Sequence, residues 1–166
     1  MTSSQDPHKR LWELIKPMRF GMLTHRHANG SLHAHPLTTQ NKSLELDMVL
    51  YFFVSKRTEL GQRIAGDGNV NVSYSDPGKD TYVSICGQAS VNEDSRLKAH
   101  MFNALAKAWF PGGVTDPDLE LVQVRILSAE YWDIKESKTT QLYKLAKAAV
   151  TGQRPAIGEH RELEVH

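Results

Sequence analysis

The segment Met48-Val49-Leu50-Tyr51-Phe52-Phe53-Val54-Ser55-Lys56-Arg57-Thr58-Glu59-Leu60 decides how this chain is read. From Met48 to Val54 every residue is aliphatic or aromatic, the composition of a buried strand, and the run stops at two hydroxyls flanking two cations. Glu59 to Ala65 is compatible with a short helix, so a strand feeds a helix N-terminus. Such an end presents unpaired backbone N–H groups and a positive partial charge, which suit an anion such as phosphate. Ser55 and Thr58 can cap or donate, and Lys56 and Arg57 add full charges. The same residues also read as an ordinary helix cap with two solvated cations. The rest of the chain has to weigh these two readings.

Outward from this segment the pattern is that of short strands joined by turns. Upstream, Asp6-Pro7 opens an amphipathic helix carrying Leu11, Leu14 and Ile15. Phe20 to His25 and Ser31 to Thr39 form two strands around the Ala28-Asn29-Gly30 turn. Downstream, Val70, Val72 and Tyr74 alternate with polar residues up to the turn Asp76-Pro77-Gly78-Lys79. Tyr82 to Val91 returns as a strand, with Gly87 marking a bulge or a close backbone approach. Asp94 caps a single helix with Leu97, Met101, Leu105 and Ala108 on one side, ending at Trp109-Phe110-Pro111-Gly112-Gly113. A long strand through Val122, Val124 and Ile126 reaches Tyr131-Trp132-Asp133, and Thr139 to Val150 is helical. About six strands in hairpin-like succession with a few short helices predict a mainly β fold with α additions, a small antiparallel barrel with helices outside. One domain is expected over residues 1–151, with residues 152–166 a polar, loosely held tail.

Composition excludes several classes. The chain has 166 residues, 40% of them hydrophobic, and its 20 Lys+Arg against 19 Asp+Glu give a formal charge of +1, no basic field for nucleic acid. The single cysteine, Cys86, cannot form an intrachain disulfide and fits a reducing cytosol; its apolar neighbours predict a buried small side chain. The first ten residues contain no apolar core of a signal peptide. The run from Met48 to Val54 is far short of the ~20 residues a membrane helix needs. A soluble, cytoplasmic protein with no membrane partner is expected.

Four histidines, His25, His27, His33 and His35, surround the first hairpin. His33 and His35 are two apart on a strand and face one side, a spacing able to chelate a metal. A barrel of the cupin kind also needs a glutamate shortly after such a pair. Here Pro36 to Gln40 intervenes and the first acid is Glu45, so no metal ligand is assigned. No P-loop, dinucleotide fingerprint or nucleophile elbow occurs, and no side chain reads as a catalytic acid, base or nucleophile. The aromatic corners at Trp109 and Tyr131-Trp132 read first as barrel packing. A planar ligand with an anionic tail would use such walls together with a phosphate anchor.

Three segments, Asn69-Val70-Asn71-Val72-Ser73-Tyr74-Ser75-Asp76-Pro77-Gly78-Lys79, Lys107-Ala108-Trp109-Phe110-Pro111-Gly112-Gly113 and Ala129-Glu130-Tyr131-Trp132-Asp133, together with the order of elements, resemble the FMN-binding split-barrel superfamily that includes pyridoxamine 5'-phosphate oxidase. The resemblance is closest to its bacterial general stress proteins. It implies a six-stranded antiparallel split β-barrel flanked by short helices. It also implies a tight homodimer, with a flavin, FMN or FAD, in each of two clefts built from both subunits. By similarity, His35, Pro36, Leu37, Thr38 and Thr39 lie along the flavin, whose ring edge meets backbone groups of Leu37, Thr38 and Thr39. Phe53 and Val54 match ring contacts, and Ser55, Lys56, Arg57 and Thr58 match the phosphate turn. Tyr82, Trp109 and Trp132 match positions that border the flavin, some of them from the partner subunit.

Two departures qualify the implication. The family often carries a basic residue or pair just after the hydroxyl matching Thr58, where this chain has Glu59 and Leu60. Like charges about 4 Å apart oppose one another by roughly 4 kcal/mol at an effective dielectric of 20, so Glu59 is expected to weaken phosphate binding unless Lys56 and Arg57 compensate. The oxidase's substrate lysine corresponds to Gln40, and its C-terminal arginine-histidine segment has no counterpart after Asp133, so vitamin B6 oxidation is not expected. The expected function is a flavin-binding protein of the general stress type, an oxidoreductase if it is an enzyme. Two other classes fit the residues. One is a flavin-free barrel binding another phosphorylated ligand or a protein partner; the other is a metal-dependent barrel using His33 and His35.

Overall fold

The computed structural model describes residues 6–165. The first five residues of the segment read as lacking a signal peptide, and His166 at the end of the expected tail, lie outside the described residues. In order, the elements are α1 (Pro7–Ile15), β1 (Phe20–Arg26), β2 (Leu32–Thr38), β3 (Val49–Ser55), α2 (Glu59–Arg63), β4 (Asn69–Asp76), β5 (Thr81–Asn92), α3 (Ser95–Met101), α4 (Ala104–Trp109), a 3-10 turn (Gly113–Thr115), β6 (Leu119–Asp133), α5 (Lys138–Thr151) and β7 (Glu159–Glu164).

The strands pair antiparallel in the order β2-β1-β4-β5-β6-β3, and β7 adds to β6. The two ends of this sheet curl toward each other. Gln40 N–H donates to the Tyr51 carbonyl at 2.9 Å, and the Asn41 side chain accepts from Tyr51 N–H and donates to the Val49 carbonyl, both at 2.8 Å. Beyond that short contact β2 keeps a free edge, so the barrel is split rather than closed.

Leu23, Leu50, Phe52, Val72, Ile85, Val122, Val124 and Ile126 fill the barrel, and α1 covers it with Leu11 and Ile15. Burying each such side chain contributes about 1.5–3 kcal/mol. A second cluster, Phe53 with Ala106, Phe110, Leu119 and Leu121, lies between the sheet and the α3–α4 layer. Strand β3 therefore buries both faces, Leu50, Phe52 and Val54 inward and Phe53 toward the helices. That is why its sequence is continuously apolar instead of alternating.

Gly87 marks a close approach, as expected. The β5–β6 register shifts between Cys86 and Gly87, and a Cβ at Gly87 would stand 2.5 Å from a Val124 methyl carbon. Three expectations are corrected. The single helix from Asp94 is two helices, because Phe102 is extended and Asn103 starts a new one by accepting from Ala106 N–H at 2.9 Å. Cys86 is exposed: alternation along β5 sends it to the outer face between buried Ile85 and Gly87. Residues 159–164 are not a loose tail but strand β7, paired to the last part of β6, with Leu163 and Val165 packed on the core. No described helix is long and apolar enough to cross a membrane.

Candidate functional site

The β3–α2 turn is built from its own hydroxyls. Ser55 Oγ accepts from Arg57 N–H at 3.2 Å, and Thr58 N–H and Oγ1 both donate to the Ser55 carbonyl, at 3.1 and 2.7 Å. Thr58 is the N-cap, its Oγ1 accepting from Gly61 N–H at 3.1 Å. Helix α2 folds tightly onto the strand end: a Cβ at Gly61 would lie 2.5 Å from the Ser55 carbonyl oxygen. The N–H groups of Glu59 and Leu60 are left without a partner among the described residues.

Both cations of the turn have acidic neighbours at the start of β6. Arg57 Nε lies 3.0 Å from each carboxylate oxygen of Asp118, while Lys56 N–H donates to the Asp118 carbonyl at 2.9 Å. Burial pushes the Glu120 carboxyl up, and the charges of Lys56 and Lys98 oppose that rise. Glu59, the residue that departs from the expected pattern, is withdrawn. One carboxylate oxygen pairs with His27 Nδ1 at 2.8 Å and the other accepts from Ala28 N–H at 3.2 Å, so its charge is held by the β1–β2 hairpin.

Strand β2 belongs to the hairpin whose tip, His27 and Ala28, meets Glu59. Its register with β1 puts His35 and Leu37 opposite Leu23 and Gly21 on the inner face, and Pro36 and Thr38 opposite Met22 and Phe20 on the outer face. Thr39 Oγ1 meets the Tyr74 hydroxyl at 2.5 Å, and burial drives that phenol up to about 12. Phe53 and Val54 have buried side chains, Phe53 edge-on to Phe102 with ring centroids 6.0 Å apart. Trp109 follows at the end of α4, next to buried Phe110, with its own ring 79% exposed.

The other two expected aromatics are elsewhere. Tyr82 and Trp132 face each other across β5 and β6, and β6 begins opposite Ser55 at Leu119, roughly 40 Å earlier along the strand. His160 of β7 stacks on Trp132 with centroids 5.1 Å apart and planes 2° from parallel. Within one chain the end of β3 runs directly into the turn, and Tyr82 with Trp132 does not join them. A cavity of about 240 Å³ is lined by Gln40, Asn41, Tyr51, Leu97 and Met101.

The hairpin also assembles a group that residue spacing along β2 alone misses. His25 is buried, and its Nε2 lies 3.1 Å from His35 Nε2. His27 completes the trio, all three offering a ring nitrogen within 4.8 Å of one another. Burial, then the neighbouring imidazoles, lowers the pKa of both His25 and His35. The pair whose spacing could chelate, His33 and His35, is not the cluster: His33 stands opposite His25 in the register and stacks on His27, centroids 3.5 Å apart. Folding the hairpin about Asn29-Gly30 on paper already sets His25 against His33 and Leu23 against His35, and that register was the available signal.

Known proteins can be compared with this geometry. The family model described as "Pyridoxamine 5'-phosphate oxidase like" matches residues 6–156. The crystal structure of a general stress protein 26 from Jannaschia sp. CCS1 superposes with a TM-score of 0.71 at 26% identity, covering 95% of this chain and 96% of that one. The general stress FMN/FAD binding protein of the phytopathogen Xanthomonas citri superposes with a TM-score of 0.65 at 29% identity, covering 79% of this chain and 90% of that one. Protein bli-3 of Neurospora crassa is 25% identical over 116 residues, 64% of this chain; the match spans 56% of bli-3, a little over half its length. A family match running from α1 past the end of α5, on a split barrel of this topology, places the chain in the pyridoxamine 5'-phosphate oxidase-like family.

Proposed function

We propose that this protein binds a flavin mononucleotide group, as FMN or as the corresponding half of FAD, in a cleft completed by a second copy of the chain. The observation that carries the reading is the position of Glu59. Its carboxylate is held by His27 and Ala28, which removes the one acid expected to repel a phosphate from a turn presenting Lys56, Arg57 and two unpartnered N–H groups. The residues fit the group. Ser55 and Thr58 fix the turn, Lys56 and Arg57 supply charge-assisted donors, and the free edge of β2 offers backbone groups of Leu37, Thr38 and Thr39 to a flat heteroaromatic ring.

The resemblance to the FMN/FAD binding protein of Xanthomonas citri supports the same ligand. Dimerisation is supported by the exposed outer face of the sheet, where Phe20 (54% exposed), Met22 (40%) and Tyr82 (37%) form an apolar surface. A second copy there would also bring Tyr82 and Trp132 to the cleft, which one chain cannot do. Bound flavin supplies hydride or electron transfer; the chain orients it and controls access, and no side chain here is assigned as acid, base or nucleophile. Titrating the purified protein with FMN, FAD and riboflavin tests the reading. Saturable quenching of flavin fluorescence, stronger for FMN than riboflavin, is expected, and unquenched flavin overturns it.

A further inference from the structure

We propose that His25, His27 and His35 form a binding site for a divalent transition-metal ion of zinc-like preference, oriented by Glu59, in addition to the flavin turn. His27 Nδ1 lies 2.8 Å from the Glu59 carboxylate, a neighbour that favours the proton on Nδ1 and leaves Nε2 with a lone pair. That Nε2 is buried and has no hydrogen-bond partner among the described residues. A carboxylate holding one nitrogen while the other is left bare is the arrangement that orients metal-binding histidines.

His25 and His35 bring their Nε2 atoms to 3.1 Å. Two nitrogens each about 2.0–2.1 Å from a tetrahedral zinc are about 3.3 Å apart, so this pair is already at ligand spacing. The trio spans at most 4.8 Å, wider than the roughly 3.3 Å ligand spacing of a tetrahedral zinc, so binding would draw the third nitrogen inward. Three neutral imidazoles with no carboxylate in the inner set suit zinc, copper, nickel or cobalt over magnesium or calcium. Three protein ligands leave the fourth position open to water or to a small anionic ligand. His33, stacked on His27, packs the site from outside and is not a ligand.

The hairpin has independent reason to be rigid. His25 and His35 sit on paired strands, and Glu59 ties His27 to α2. Glu59 thus has a role at a position where the family pattern would place a basic residue.

The test is titration of the full chain with zinc(II), and separately with cobalt(II) read by visible absorption, in the absence of flavin. One zinc per chain and an intense cobalt spectrum of tetrahedral type are expected. His27→Ala and His35→Ala should each weaken zinc at least 100-fold, Glu59→Gln by about 10- to 100-fold, and His33→Ala little. Melting each variant without metal separates loss of ligand from loss of fold. Zinc should raise the melting temperature of the unmodified chain and of His33→Ala, and not that of His27→Ala. Absence of saturable binding overturns the proposal, as does zinc binding undiminished in both His27→Ala and His35→Ala. A failure of FMN to bind would leave these results standing, so the two readings fail separately.

Discussion

Arg57 Nε sits 3.0 Å from both carboxylate oxygens of Asp118, so one of the two cations available to an anion at the β3–α2 turn is already shared with an acid. The Arg57 side chain is mostly exposed, and exposed pairs of this kind contribute only about 0.2–1 kcal/mol. Asp118→Asn should therefore leave stability nearly unchanged while freeing the guanidinium. FMN affinity should rise about two- to five-fold at low salt, and riboflavin affinity should stay constant. Fluorescence titrations of both flavins at two ionic strengths check this. Equal gains for riboflavin would mean that Asp118 acts on the ring and not on the phosphate.

Removing both cations tests the same turn from the other side. In Lys56→Ala with Arg57→Ala, each lost charge-assisted hydrogen bond costs about 1.5–3 kcal/mol where it is made. FMN should weaken at least 10- to 100-fold, with riboflavin altered less than three-fold. If both flavins lose equally, the phosphate lies elsewhere.

Much of this architecture was legible because half-buried strands alternate. Val70, Val72 and Tyr74, or Val122, Val124 and Ile126, declare their inner face in the sequence. Met48 to Val54 was legible for the opposite reason, burial on both faces. The break at Asn103 was hidden because Leu97, Met101, Leu105 and Ala108 keep helical spacing across it, and only an Asn able to cap signals the interruption. Strand β7 was hidden because Leu163 is the single apolar residue from Glu159 to Glu164; pairing with β6 forms it, and no intrinsic preference does. The acid at Glu59 was visible in the sequence, but its direction was not. A side chain that leaves the turn for His27 follows from the hairpin's position, a tertiary fact.

Thr39 and Tyr74 join the proposed ring-binding strand to the core at 2.5 Å. The Tyr74 phenol is held up at about 12 by burial, against an ordinary value of about 10 in the unfolded chain. Above the unfolded value, unfolding releases a proton that the native state retains. Its contribution is therefore complete below about pH 10 and is lost as pH rises toward 12. Tyr74→Phe should cost about 0.5–1.5 kcal/mol at neutral pH and show a shallower loss of stability between pH 10 and 12. Urea unfolding at several alkaline pH values, compared between the two proteins, measures that slope. Parallel slopes would remove Tyr74 as its source.

The outer face of β1 should hold the second copy. Phe20→Glu with Met22→Glu places two charges where a dimer would bury them, on side chains already exposed in one chain. Sedimentation should shift from dimer to monomer with little change in circular dichroism, and flavin binding should fall with it. A dimer that persists would move the interface away from this face.

Arg10 secures the far end of the barrel, and its loss should be costlier than that of any turn residue. Its Nη2 donates to Asp133 at 2.6 Å and to Glu159 at 3.1 Å, fastening α1, the end of β6 and the start of β7 to one guanidinium. Asp133 is buried, and its other oxygen accepts from Thr81 at 2.9 Å. Arg10→Met would leave that carboxylate with one hydroxyl and Lys135 Nζ at 3.8 Å, while Glu159 keeps the Tyr131 hydroxyl at 3.0 Å and Arg161 Nε at 3.2 Å. Removing one partner of a buried pair costs about 3–5 kcal/mol, which for a chain of this size lowers the melting temperature by roughly 10 °C. Asp133→Asn added to Arg10→Met removes the stranded charge and should recover most of the loss. Because β7 is tied down through Glu159, the single variant should also loosen His160 from Trp132, visible as a change in tryptophan emission before global unfolding. If the double variant melts no higher than the single one, packing by the arginine stem, and not its charge, holds the three elements together.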